Sequence, residues 1–353
     1  MLNTSVHLLF LIFVGILSVI ILLIAAVVMY SFLEHRKTVR LAVWSDMINH
    51  KISEAIVSDH GERMDDDRTE WAGNHSFRNF FLQKLVESEQ KFSGAADEKI
   101  KILFRSFGLQ REALKKLAKK KTHFITGGIQ ELTAMNYLEA LPDIALLLKH
   151  PSAQVYQEAQ YAMVAFKGFE GLEFLDETAG RISEWQQLRL LRSVSHIPEN
   201  SEDILKKWLE SNNDSVVIFT LKLIRKFQML SLYDMMATLL HHKSREVKVQ
   251  LVQTLFALEN SSTILHLTDS YVYQETEVQT EILKILKISR DRNSTDFLKR
   301  ELVRHPDLGI KVHAAETLSA LGEQRYLSEL SQDLSSSEEL VQITQYALQQ
   351  KIW

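Results

Sequence analysis

Apolar positions recur along residues 125 to 350 with a period near 31. One row steps through Gly128, Ala159, Leu190, Leu221, Leu251, Ile282, Ala314 and Gln345, at intervals of 31, 31, 31, 30, 31, 32 and 31. Four residues beyond most of these stands another apolar side chain, Leu132, Met163, Val194, Leu255, Leu286 and Leu318, with Arg225 and Gln349 as exceptions. Apolar pairs four apart mark one face of a helix, so each period predicts an amphipathic helix. Two further rows share the period: Ile144, Leu175, Leu205, Met236, Leu267, Leu298, Leu330, and Leu148, Ala179, Leu209, Leu240, Tyr271, Val303, Leu334. They predict a first helix in each unit, ahead of the one carrying the Ala159 row. His150-Pro151 and His305-Pro306 repeat the same turn five periods apart. The turns hold polar clusters, "HPSAQ", "SNNDS", "HHKSRE" and "RHPD", and Pro142, Pro151, Pro198 and Pro306 all fall at helix junctions, where proline breaks no internal hydrogen bond.

A helix pair of this size cannot bury its apolar face alone, so neighbouring pairs stack around one continuous core. The expected fold is all-α: a right-handed α-solenoid of about seven to eight helix pairs. Leu255 and Leu286 should be core and Lys248 outward. "LVQITQYALQQKIW" reads as the closing helix, with Gln342, Gln345, Gln349 and Gln350 on a polar outer face. Only 12 Gly and 4 Pro among 353 residues agree with a helical chain.

The N-terminal segment is different material. All 41 basic and 45 acidic residues lie after Leu33. Between Leu8 and Leu33 runs "LLFLIFVGILSVIILLIAAVVMYSFL", long enough at 1.5 Å per residue to cross a hydrocarbon layer of about 30 Å. It lacks the basic start, short apolar region and small-x-small site of a cleaved signal, so a single transmembrane anchor is expected. Arg36, Lys37 and Arg40 follow the span and no Lys or Arg precedes it, which predicts a membrane protein with its C-terminal part cytoplasmic, on the inner membrane in a Gram-negative cell. The expected organisation is an anchor over 1–33, a stalk and helical adaptor over 34–124, and repeats over 125–353. In the stalk, Val39, Val43, Met47, Ile48, Ile52, Ile56 and Val57 are spaced as a helix stripe. "FRNFFLQKLVESEQKF", "ADEKIKILFRSF" and "LQREALKKLAKKK" predict three adaptor helices that cap the first repeat.

The phrase "DLGIKVHAAETLSALGE", with an apolar residue after an acidic turn, an Ala-Ala pair and a closing Leu-Gly, resembles the second helix of a HEAT repeat. "SAQVYQEAQYAMVAFKG" is similar, and "NDSVVIFTLKLIRKF" and "REVKVQLVQTLFALEN" match by register. The period resembles the compact, armadillo-like HEAT units of bacterial proteins. The resemblance implies a scaffold whose second helices line a concave face. Some HEAT-like proteins are enzymes, an alkylpurine DNA glycosylase group and the bilin lyases, and bacterial single-span HEAT-like proteins accompany envelope polysaccharide glycosyltransferases.

Candidate chemistry is sparse. Cysteine catalysis is excluded because the chain has no cysteine, and no phosphate loop, dinucleotide fingerprint, zinc-protease motif or nucleophile elbow occurs. Asp65, Asp66 and Asp67 near His60 and His75 read as a solvated loop, and His241-His242 as a turn, so no metal or cofactor is expected. Trp185 and Trp208 read as repeat packing. The run Lys115, Lys116, Lys119, Lys120 and Lys121 stands in a chain of net charge -4. This argues against nucleic acid and leaves a solvated helix face or, with Arg36, Lys37 and Arg40, contact with anionic lipid. No small-molecule substrate is evident.

The expected function is that of a membrane-anchored scaffold binding a partner protein at the cytoplasmic face, not an enzyme, with a HEAT-like lyase or glycosylase as the alternative. Partner contacts should use second-helix positions that the core leaves free. One column runs through Glu158, Arg189, Thr220, Gln250, Glu281, His313 and Thr344, the other through Tyr161, Arg192, Leu223, Gln253, Lys284 and Glu316. From these the expected stripe is Arg189, Arg192, Gln250, Gln253, Glu281, Lys284, His313 and Glu316.

Overall fold

The computed structural model describes residues 2–57 (side chains from Phe13 onward), 73–258, 260–334 and 336–349. His60, Asp65, Asp66, Asp67 and Gln350 lie outside the described residues. Among the described residues there are eighteen α-helices, eight short 3-10 segments and no strand. The chain divides into two compact units, Met1–Ala162 and Met163–Trp353.

The first unit begins with one unbroken helix, α1 (Leu2–Val57). Its apolar part is bare, with Leu22, Leu23 and Val27 among many exposed side chains. From Phe13 on it is long and apolar enough to cross a membrane, with a mean hydropathy of 2.9 in its most apolar window. Its far end turns inward. Trp44, Ile48 and Ile52, spaced by four, are buried and pack α1 on α2 (His75–Glu89) and α3 (Ala95–Ser106). Val39, Val43 and Val57 stay exposed, which corrects the expected stripe. A four-residue spacing keeps to one side of a helix, and the bulky Trp44 sets which side. Its indole meets the Phe77 ring edge-on at 5.5 Å.

Next, α4 (Gln110–Leu117) lies against α5 (Thr122–Ala134), with α2 against both. Gly128 permits the close approach, because a Cβ there would stand 2.8 Å from the Ala113 carbonyl oxygen. The run of lysines is therefore not one helix face. Lys115 and Lys116 end α4, while Lys119, Lys120 and Lys121 fall in the turn before α5. The unit continues through α6 (Leu141–Leu146) and into α7 (Ala153–Lys167), within which the two units divide.

The second unit is a stack of helix pairs. Its second helices are α8 (Glu184–Ser193), α10 (Asp214–Phe227), α12 (Arg245–Ala257), α14 (Thr276–Ser289), α16 (Leu308–Ala320) and α18 (Glu338–Gln349). Each packs on the next. The first helices are a 3-10 segment over Gly168–Glu177, then α9 (Glu202–Leu209), α11 (Tyr233–Thr238), α13 (Thr263–Ser270), α15 (Thr295–Arg304) and α17 (Gln324–Gln332). A single apolar core runs from Val164 to Ala347, as expected when each pair's exposed apolar face is covered by the next pair.

Measured from where the second helices start, the register is uniform. Each core row residue stands six positions into its helix, from α5 through α18: Gly128, Ala159, Leu190, Thr220, Leu251, Ile282, Ala314 and Thr344. By this count Thr220 and Thr344 take the places expected for Leu221 and Gln345; Leu221 is itself fully buried beside Thr220, whereas Gln345 is exposed. The slip also removes the exceptions, since four beyond them come Ile224, fully buried, and Leu348, packed on the core. A threonine serves in this row because its hydroxyl donates to the carbonyl one turn back. Thr220 Oγ1 reaches Val216 O at 2.8 Å and Thr344 Oγ1 reaches Leu340 O at 2.9 Å, so no donor is left unmade. Thr220, Thr344 and Leu223 are therefore core and not face positions.

First helices keep the register less well. Leu175, Leu205, Met236, Leu267 and Leu298 are buried as expected, as are Leu209, Leu240 and Tyr271. Ala179, Val303 and Leu334 are exposed instead, and Leu302 and Leu327 hold core places in α15 and α17. Leu255 and Leu286 are fully buried. Lys248 is not outward: its relative exposure is 5%, and it pairs with Glu275 at the start of α14.

The His-Pro turns have a specific cause. His150 Nδ1 accepts the Ser152 N–H at 3.1 Å and His305 Nδ1 accepts the Asp307 N–H at 3.0 Å. His242 does the same for Ser244 at 3.0 Å, and Ser211 Oγ for Asn213 at 3.2 Å. Each side chain closes the turn into a second helix, as an Asx-turn would. In α18, Gln342, Gln345 and Gln349 are exposed, opposite buried Leu340 and Ile343.

Candidate interaction grooves

In the second unit, a groove of about 1280 Å3 crosses the turns between first and second helices. It is lined by the stretches 175–187, 207–222 and 243–253 and by Glu277. Its floor is a hydrogen-bond network that joins successive pairs. Asn213 caps α10, and its Nδ2 donates to Thr178 O and Gly180 O, both at 2.9 Å. Ser215 Oγ accepts from Ile182 N at 2.9 Å and donates to Asn213 Oδ1 at 2.7 Å. Gln187, buried, donates to Ile182 O at 3.1 Å and accepts from Lys222 Nζ at 2.8 Å. Burial pushes the Lys222 ammonium below its ordinary pKa, and Glu184 only partly offsets this.

The walls carry both signs of charge, and much of it is paired within the chain. Asp176 accepts Lys207 Nζ at 2.6 Å and Trp208 Nε1 at 2.7 Å. Burial would raise its carboxyl, but these two bonds and the Lys207 charge hold it below the ordinary value. Arg245 meets Glu277 at 2.6 Å. At Glu275 the Lys248 hydrogen bond is the main cause of a lowered carboxyl.

The expected stripe is divided by this geometry. Gln250 and Gln253 line the groove; Arg189, Arg192, Glu281, Lys284, His313 and Glu316 do not. Glu281 accepts Gln253 Nε2 at 2.7 Å and lies 3.3 Å from Lys284. Glu316 meets Lys287 at 2.9 Å and His313 at 3.7 Å. Glu281 and Glu316 thus link one second helix to the next. Trp208 is core, with its ring 5.5 Å from Phe169. Trp185 is not: it is 69% exposed on α8, with Leu188 beside it at 50%, because its place one residue into the helix faces away from the stack. His241-His242 is a turn, and among the described residues no group of three His, Asp or Glu side chains is arranged to hold a metal ion.

The first unit has its own groove, of about 1070 Å3, between α1, α2, α4 and α5. Of the eight residues expected at lipid, Lys37, Arg40, Lys115, Lys116 and Lys119 line it, while Arg36, Lys120 and Lys121 do not. Arg36 lies over the Phe32 ring at 4.9 Å. Two carboxylates stand in the wall. Glu112, nearly fully buried, is 2.6 Å from His75 Nδ1, 3.2 Å from Arg78 Nε and 3.3 Å from Lys115 Nζ. Burial works to raise its pKa, but the Arg78 and Lys115 bonds and the nearby charges hold it below the ordinary value. Glu131 pairs with Lys116, yet burial outweighs that partner and raises its carboxyl. Arg78 also donates to Phe107 O at 3.0 Å and Gly108 O at 2.6 Å, closing the end of α3. The sequence reading missed Trp44, Arg78, Glu112 and Glu131. No motif marks them, since Arg78 and Glu112 are 34 residues apart in the chain.

The chain matches no family model and no curated protein. Among solved structures it is similar to an engineered protein, at TM-score 0.35 and 16% identity over 84% of this chain and 87% of that one. It is also similar to human deoxyhypusine hydroxylase in complex with glycerol, at TM-score 0.29 and 13% identity over 77% of this chain and 96% of that one. Both likenesses are distant, and the helical-repeat description stands on the chain's own geometry.

Proposed function

We propose that this protein is a membrane-anchored HEAT-like adaptor that holds a partner protein at the cytoplasmic face. The observation that carries the reading is the groove across four consecutive second helices. It is open, polar and of mixed charge, and its walls are fixed in place by the chain's own hydrogen bonds. Protein interfaces suit such a surface, because preorganised side chains lose little freedom on binding. Trp185, exposed on α8, offers an aromatic anchor of the kind that dominates interface energies. The anchor reading is supported by the bare apolar stretch of α1 and by its unbroken continuation into the buried Trp44–Ile52 seam. Orientation rests on Arg36, Lys37 and Arg40 following the span. By analogy with other single-span HEAT-like proteins, the partner belongs to a membrane complex such as one of envelope polysaccharide synthesis.

The test is capture of membrane proteins by the full chain in detergent, with a C-terminal reporter fixing orientation in cells. Reversing charge at Lys243 and Arg245 in the groove should abolish capture, with helicity and melting temperature unchanged. Reversal at Arg292 and Arg325, exposed elsewhere in the same unit, should leave it intact. Capture that survives the groove reversal, or a reporter active only outside the cytoplasm, would refute the reading.

A further inference from the structure

The first unit's groove has a composition and a position that ordinary solvent exposure does not explain. Five cations line it against two carboxylates. Lys115 and Lys116 are turned to Glu112 and Glu131 in the wall. Lys37, Arg40 and Lys119 are exposed; Lys37 stands 3.7 Å from Glu34, and Arg40 lies over the Trp44 ring at 5.8 Å. The rest of the lining mixes small and polar side chains, Ser76, Asn79 and Gln83 among them, with an aromatic part in which Trp44 is buried and Phe80 and Phe124 are partly open.

Depth supplies the second observation. Lys37 and Arg40 follow Leu33 by four and seven residues on a helix without a break, about 6 and 10 Å along its axis at 1.5 Å per residue. The headgroup layer of one leaflet is about 5 to 8 Å thick. With α1 in the membrane, these two cations stand at and just below the lipid phosphates. The groove opens beside them.

We propose that this groove binds the phosphodiester headgroup of an anionic glycerophospholipid from the adjoining leaflet, with Lys37, Arg40 and Lys119 on the phosphate and the aromatic wall on the glycerol and upper chains. The proposal rests on the reading that α1 spans a membrane. A cation held at the bilayer surface contributes about fivefold to the binding of anionic lipid, so three acting together distinguish charged from zwitterionic lipid strongly. A free phosphate could meet the same cations, but it would leave the aromatic wall unused.

The test uses the full chain. Flotation with phosphatidylcholine vesicles comes first, then native mass spectrometry of lipid retained in detergent from mixtures of phosphatidylglycerol and phosphatidylcholine. The wild type should float and should prefer phosphatidylglycerol by about tenfold or more. Lys37→Gln, Arg40→Gln and Lys119→Gln together should reduce the preference to within about twofold without changing the melting curve. Arg292→Gln, Arg304→Gln and Arg325→Gln, which remove as many exposed charges from the other unit, should preserve it. Flotation without a phosphatidylglycerol preference, or an equal loss in both triple variants, overturns the lipid site alone. Displacement of the lipid by millimolar inorganic phosphate at constant ionic strength assigns the groove to a free anion and overturns it too. Failure to float overturns the membrane reading and takes the proposal with it.

Discussion

Second helices and first helices answer to different constraints. From α5 to α18 every second helix places its core row residue six positions after its start, and those of the second unit pack on one another in series. First helices vary: one is a ten-residue 3-10 segment and others run into 3-10 turns. A helix gripped by neighbours on both sides cannot rotate by one residue without moving its whole apolar face. A short helix resting mainly on its own partner can shift. Regularity therefore follows the number of packed faces, and intrinsic helix propensity has little to do with it.

The largest effect should come from the buried face of a second helix, such as Leu286 one turn beyond the row residue Ile282 in α14. Leu286→Ala should cost about 2 to 5 kcal/mol of unfolding free energy in denaturant titration. In first helix α15, Leu302→Ala should fall in the same range while Val303→Ala stays within about 0.5 kcal/mol. Equal losses at 302 and 303 would mean that α15 does not turn Leu302 to the core and Val303 to solvent. Lys248→Ala should cost about 1 kcal/mol, discounted because Glu275 is half exposed and regains water; an effect near zero would return Lys248 to the outward face.

The same pair gives a pH signature. Glu275 has its folded pKa held below the ordinary 4.5, so its contribution is complete above that value and fades as pH falls through the lowered one. Wild type should lose stability over that acid range faster than Lys248→Ala does, in melts recorded at stepped pH. Thr220→Val keeps the volume and removes a hydroxyl already satisfied within its helix, so it should stay within about 0.5 kcal/mol. The smallest stability change belongs to Trp185→Ala, again within about 0.5 kcal/mol, although partner capture should weaken about tenfold.

The repeat was legible in the sequence because one apolar residue per 31 is enough to mark a helix that must stack. It ran one residue late at Leu221, which is itself buried, and at Gln345, which is exposed, because Thr220 and Thr344 look polar while their hydroxyls are spent on the carbonyl one turn back. At Val303 and Leu334 the row continued by arithmetic past the residues that face the core. Trp44 was hidden by its apolar neighbourhood, and Lys248 by a partner 27 residues away. The grooves were only half visible. "SNNDS" and "HHKSRE" were readable as turns, but their alignment into one wall depends on the stacking of pairs. The basic residues after the apolar stretch of α1 and those after α4 were each noticeable, and only the packing of α1 beside α2, with α4 and α5 against α2, brings Lys37, Arg40 and Lys119 to one groove.

The most direct test of the adaptor reading is a photo-crosslinking residue placed at Gln250, inside the groove, and separately at Gln345, on the exposed face of α18, in the whole chain expressed in cells. A discrete protein adduct is expected from position 250 and none from 345. Adducts of equal yield from both positions, or an adduct from 345 alone, would contradict it.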